Sequence, residues 1–248
     1  MEKTKMIDLH CHILPGVDDG ASSYEASLAM AAMAAHHGIR HIVATPHCTT
    51  GGVRDVTMGV NMLQELLTEE NIPIRLYPGM EIFGTYDTAQ LLLEKKLLTL
   101  NHSRYPLIEF AFHSDGEEET DILQSVIQAG FTPLVAHPER YAYVCQDPTL
   151  LNHWKQMGCL FQVNRGSLLG RYGYAVQQMA MAMVHRGFAT VVATDAHSPT
   201  VRTPRARDTY ELLFHSVSPV AAELLMRRNP ERILQDKLLP PATPDWFA

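Results

Sequence analysis

The chain has 248 residues, 46% of them apolar, and a formal charge of −7. That length and apolar share fit one α/β barrel or two small domains with a full core. The negative balance argues against nucleic acid as the general partner, but still allows a small anion held at a locally positive metal site.

The N-terminal lysines precede an apolar stretch that Asp8, His10 and His12 interrupt, so neither a signal peptide nor a membrane span is expected. The first strand runs over 6–10 and leads into His10-x-His12. Asp8 is placed off the face that His10 and His12 share. Ser22, Ser23 and Glu25 open a helix that ends near Gly38. A strand over 40–45 leads to His47, and a helix follows over 55–70. The run 74–80 ends at Glu81, before a helix over 85–97 whose segment Leu91–Leu98 is amphipathic. Strand 106–112 carries Glu109, helix 119–129 follows, and strand 132–137 ends in His137. Helix 148–158, strand 159–164 and helix 172–187 come next. Strand 190–195 delivers Asp195-x-His197, and helices over 205–215 and near 218–228 close the pattern. Residues 1–240 are read as one barrel domain, and 241–248 as an extended tail.

Strict β/α alternation implies a parallel sheet, and seven uninterrupted units imply closure into a barrel with its site at the C-terminal strand ends. The candidate ligands fall there: His10, His12, Asp19, His47, Glu81, Glu109, His137, Asp195 and His197. A spacing of two along a strand puts both side chains on one side. A single His-x-His matches by chance, but six strand ends that all terminate in ligand types point to a polynuclear metal hydrolase. Three divalent ions against the four carboxylates leave about +2, which suits a phosphate dianion. A nitrogen and oxygen shell without thiolate favours Mn²⁺, Fe²⁺ or Zn²⁺. By parity, Cys11 packs away from the ligands. The cysteines Cys11, Cys48, Cys145 and Cys159 form no C-x-x-C pair, which fits a reducing cytoplasm.

These residues resemble the PHP (polymerase and histidinol phosphatase) superfamily, and within it the CpsB/CapC/YwqE type of bacterial tyrosine-protein phosphatase. The most specific stretch is Asp8-Leu-His-Cys-His-Ile-Leu-Pro-Gly-Val-Asp-Asp-Gly20. Thr45-Pro-His47, Gly79-Met-Glu-Ile82, Ala136-His-Pro-Glu-Arg-Tyr141, Val163-Asn-Arg-Gly-Ser-Leu-Leu-Gly170 and Ala193-Thr-Asp-Ala-His197 follow in order. The resemblance implies a distorted (β/α)₇ barrel with three metal ions, usually Mn²⁺. One ion would take His10, His12, Glu81 and Asp195. A second would take Glu81, Glu109 and His137, and the third Asp19, His47 and His197. Arg140 and Arg202 match the arginines that hold substrate. The implied reaction is attack of a metal-bound hydroxide on phosphotyrosine, and the implied partner is a tyrosine autokinase of capsule or exopolysaccharide synthesis. A PHP phosphoesterase acting on a small ester such as histidinol phosphate is the alternative reading. Arg165 stands where the family often has a small residue, and either adds charge at the rim or faces solvent.

His47-Cys48-Thr-Thr-Gly-Gly-Val-Arg54 also fits the loop of cysteine-dependent tyrosine phosphatases. Asp55 follows the arginine and would raise the thiol pKa, whereas a nucleophilic cysteine must be a thiolate. That reading also leaves the other strand-end ligands unexplained.

Overall fold

The computed structural model describes residues 5–47 and 52–240, so Cys48 and the tail lie outside the described residues. The strands are β1 (Met6–Cys11), β2 (Ile39–Ala44), β3 (Arg75–Pro78), β4 (Glu81–Phe83), β5 (Leu107–Glu109), β6 (Leu134–Ala136), β7 (Leu160–Asn164) and β8 (Val191–Ala193). All pair in parallel, in the orders β1-β2-β3 and β4-β5-β6-β7-β8. Each expected run contains a strand, but the run 74–80 stops early. Pro78 has no N–H for the ladder, and the chain turns through Gly79 and Met80 before β4 takes β5 as its neighbour. Together β3 and β4 fill one barrel position, giving the (β/α)₇ count.

Short bridges close the barrel where the ligands lie. Asp195 N donates to His10 O at 2.8 Å and His12 N to Ala196 O at 2.8 Å, which joins β1 to the end of β8. Glu81 N donates to Pro46 O at 3.1 Å, beside the His47–Glu81 bridge.

Helices cover the outside: α1 (Tyr24–His36), α2 (Gly52–Glu69), short α3 (Thr88–Leu93) and α4 (Glu117–Gln128). Short α5 (Ala142–Gln146), α6 (Thr149–Met157), short α7 (Arg165–Leu168), α8 (Tyr174–His185) and α9 (Arg207–Ser216) follow. The Ser23 hydroxyl caps α1 by accepting from Ala26 N at 3.3 Å. The last helix runs past the expected end near 228: α10 (Pro219–Glu223) continues through a π turn, Leu224–Arg228, into α11 (Asn229–Leu234). Pro230 follows just after the π turn, in the first residues of α11.

Two apolar layers follow from the strand period. Ile7, Leu9, Val43, Leu107, Leu134, Ala136 and Val191 meet inside the barrel, with Ile233 and Leu234 of α11 packed against them. Cys11, Ile42, Ile108, Val135, Phe161 and Val192 face the helices. Ile7 and Leu9 are inner but Cys11 is outer, so the alternation in β1 slips by one, as its register against β2 also shows. Strict alternation would put Asp8 on the face of His10 and His12. The slip places Asp8 off that face, buried and bonded to Thr194 N at 3.0 Å and Thr194 Oγ1 at 2.5 Å. No helix among the described residues is long and apolar enough to cross a membrane.

Candidate metal centre

All nine expected ligands gather at the C-terminal mouth. Eight of them have donor atoms in three compact groups: His10, His12, Glu81 and Asp195; His12, Asp19, His47 and His197; and His47, Glu81 and Glu109; the ninth, His137, meets Glu81. The first group is the floor, each residue 1% exposed or less. The second opens to solvent through Asp19, which is 64% exposed. The chain turns sharply at two of the strand ends: His137 and Asp195 adopt positive φ, 34° and 50°, a region His and Asp enter more readily than most residues. The expected partition changes at one point. His47 Nδ1 lies 2.9 Å from Glu109 Oε1, whereas His137 Nε2 meets Glu81 Oε1 at 2.9 Å. The compact groups therefore place His47, rather than His137, beside Glu109.

A directed hydrogen-bond chain sets the floor. A carboxylate can only accept, so Asn164 must present its Nδ2 to Asp195 Oδ2, at 2.6 Å. Its Oδ1 then accepts from Gln162 Nε2 at 2.7 Å, and Gln162 Oε1 faces His10 Nδ1 at 2.9 Å. His10 must therefore donate through Nδ1. His12 Nδ1 is likewise engaged, by Asp18 Oδ2 at 2.7 Å. That leaves both Nε2 atoms, 3.2 Å apart, facing Glu81 Oε2 at 3.0 and 3.1 Å. Two imidazole nitrogens and two carboxylates converging on one point need a cation among them. Asp195 Oδ1 and His197 Nε2, both buried, have no hydrogen-bond partner. The donor set and these orphaned atoms fit divalent metal ions.

Without metal, protons fill the role. Burial disfavours the charged form of His10, but Glu81 and Asp195 override it and carry its pKa to about 10. The hydrogen bond to Glu109 lifts His47 to about 9. Burial and the neighbouring His12 push His197 down to about 4, which leaves its ring neutral at pH 7. Burial works against the Asp18 carboxylate, yet its bond to His12 wins and holds it at about 2.

Both expected arginines reach the floor. Arg202 Nη2 is 2.5 Å and Arg140 Nη1 3.4 Å from the same Asp195 Oδ2. Arg165 neither adds charge at the rim nor faces solvent. It is 3% exposed and spans Asp208 through Nε at 3.0 Å and Nη2 at 2.5 Å. Arg54 is exposed in the first turn of α2, and Cys48 lies outside the described residues. Cys11 is fully buried, as parity requires.

Sequence reasoning missed Asp18, Gln162 and Asn164. The signal for the last two was a pair of polar residues two apart inside a buried strand. Asp18 was hidden by its neighbour Asp19. Gly20 lets that loop lie against His12: a Cβ there would stand 2.3 Å from His12 O.

A seven-position parallel barrel with histidines and carboxylates at the C-terminal strand ends is the architecture of metal-dependent barrel hydrolases. A family profile described as "Capsular polysaccharide synthesis, CpsB/CapC" matches residues 6–235, and the chain belongs to that family. It is 36% identical to the tyrosine-protein phosphatase YwqE of Bacillus subtilis over 235 residues, 90% of this chain and 92% of the relative. It is 32% identical to the tyrosine-protein phosphatase CpsB of Streptococcus pneumoniae, over 94% of this chain and all of the relative. A crystal structure from the work on YwqE and CpsB, described there as "unique metal-dependent tyrosine phosphatases", superposes with a TM-score of 0.88 at 33% identity, covering 96% of this chain and 99% of the other. The lactonase Lmo2620 of Listeria monocytogenes, 14% identical with a TM-score of 0.61 over 96% of each chain, shares the fold alone.

Proposed function

We propose that this chain hydrolyses phosphotyrosine in proteins at a cluster of divalent metal ions. The convergence of the His10 and His12 Nε2 atoms with Glu81 and Asp195, under two arginines, carries the reading. Similarity to relatives named as tyrosine-protein phosphatases supports the substrate class. His10, His12, Glu81 and Asp195 would hold one ion. Asp19, His47 and His197 would hold another, with His12 close by, and Glu81, Glu109 and His137 the third, His47 giving up its contact with Glu109 to do so. Bound metal supplies Lewis acidity and brings the pKa of a water toward neutrality.

The remaining work falls to the chain's own residues. Arg140 and Arg202 present planar guanidinium forks that match phosphoryl oxygens. Charge developing on those oxygens strengthens the contact in the transition state. Gln162, Asn164 and Asp18 keep the two floor histidines turned with Nε2 inward. A tyrosine phenol, with a pKa of about 10, leaves with little protonation. Mn²⁺ is the ion we assign to the site, and the proposed substrate is an autophosphorylating tyrosine kinase of capsule or exopolysaccharide synthesis in the cytoplasm.

The test is metal analysis together with hydrolysis of a phosphotyrosine peptide before and after chelation. EDTA should abolish turnover and Mn²⁺ should restore it best. Full activity in protein shown to be metal-free would refute the proposal.

A further inference from the structure

Arg140 is held by more than charge. Its Cζ lies 4.6 Å from the centre of the Phe112 ring and 4.4 Å from that of Tyr172, over both rings. A guanidinium at this range is drawn to the negative ring face. Three strand-end loops supply the parts: Phe112 follows β5, Arg140 ends the turn after β6, and Tyr172 follows α7.

Each ring is itself fixed. Phe112 lies 6.2 Å from the ring of Tyr141, a fully buried side chain whose hydroxyl donates to Ala136 O at 2.8 Å. Yet Phe112 is 40% exposed, so core burial does not account for a large apolar ring here. Tyr172 lies close over Gly166, where an added Cβ would come within 2.8 Å of Tyr172 Cε2. The neighbouring Arg171 ties the same loop down, through its N–H to Gly166 O at 2.9 Å and its Nη1 to Val201 O at 2.9 Å. That second bond anchors the loop to the segment that carries Arg202.

We propose that Phe112 and Tyr172 are positioning residues that hold the Arg140 guanidinium ready for the phosphoryl group. The inference rests on the reading above that Arg140 binds phosphate. A free arginine loses rotamer entropy when it engages a ligand, and one already stacked has less to lose.

A double-mutant cycle tests this, read by kcat/KM on a phosphotyrosine peptide and by calorimetric affinity of the metal-loaded protein for inorganic phosphate. Tyr172→Leu and Phe112→Leu should each weaken both quantities by about fivefold to tenfold, the scale of one lost cation–π contact. Tyr172→Phe, which keeps the ring, should recover most of the loss, and metal content should not change. In an Arg140→Ala background neither Leu substitution should cost anything further, because residues acting through one group are not additive. Equal costs with and without Arg140 would overturn the positioning role while leaving the phosphate role of Arg140 standing. Wild-type kinetics and phosphate affinity in Arg140→Ala itself would overturn the phosphate reading, and the positioning role with it.

Discussion

His10 and His47 carry a measurable consequence of metal-free chemistry. Their pKa values of about 10 and about 9 lie above the ordinary 6.5, so at pH 7 both rings hold an extra proton until metal arrives. Coordination requires the neutral ring, so uptake must expel those protons. Apparent metal affinity should therefore rise as pH climbs from 7 toward 9. Calorimetry of Mn²⁺ binding in two buffers of different ionisation enthalpy measures the release, and buffer-independent heats at pH 7 would contradict it. Arg140→Ala and Arg202→Ala should keep their metal and lower kcat/KM by about 10²-fold, the scale of a lost charge-assisted contact in the transition state. Equilibrium metal analysis beside steady-state kinetics separates the two effects. His47→Ala should lose most activity, whereas Cys48→Ser should retain it, because in the metal mechanism Cys48 is not the nucleophile; a nucleophilic thiol could not be replaced by a hydroxyl. An inactive Cys48→Ser protein with its full metal complement would favour the cysteine mechanism.

At the scale of the element, β7 orients ligands without donating one. Gln162→Leu breaks the chain from Asp195 to His10, freeing the imidazole to turn or change tautomer. Metal affinity should fall by about 10–100-fold, the usual cost of losing an outer hydrogen bond to a ligand. Competition with a chromophoric chelator reads this directly, and unchanged affinity would remove Gln162 from the site. The same strand shows what was legible in the sequence. Its β-branched and aromatic positions and its boundaries were, because they obey a period of two. The roles of Gln162 and Asn164 were not, since which side of a strand looks into a barrel depends on closure by strands far away in sequence. In β1 Asp8 does lie off the face of His10 and His12, but through one slipped residue that plain alternation does not show. Eight of the nine candidate ligands were legible because each stands at or just past a strand end, whereas Asp19 lies in the loop after β1. The contact of His47 with Glu109 was not legible, because it depends on where the neighbouring strand end carries His47. Arg165 read as a rim charge or a solvent-facing one because its partner Asp208 comes from another element, α9.

The whole molecule is two sheets joined where the ligands sit. Asp195 and His10 bridge β8 to β1, and Glu81 bonds to the chain just before His47. Metal bound across these junctions binds the native state and not the unfolded one, so it adds to global stability. At a metal concentration about 1,000 times Kd the gain is about 4 kcal/mol, worth about 10 °C in Tm for a chain of this size. Calorimetric melting with and without EDTA measures it. Equal melting temperatures would mean that the metals do not tie the sheets together.

The junction between β1 and β8 also sets a clock. Cys11 and Ala196, which meet there, are 185 residues apart in the chain. At ribosomal speeds β1 leaves the exit tunnel about 10–40 s before its partner exists. Through that interval its edge is open, and an open edge invites pairing with other nascent chains. Asp8, His10 and His12 make it a poor template for such pairing, since polar and ionisable side chains on an edge discourage it. Two of the residues proposed to hold metal, with Asp8, thus protect the first strand while it waits for the last.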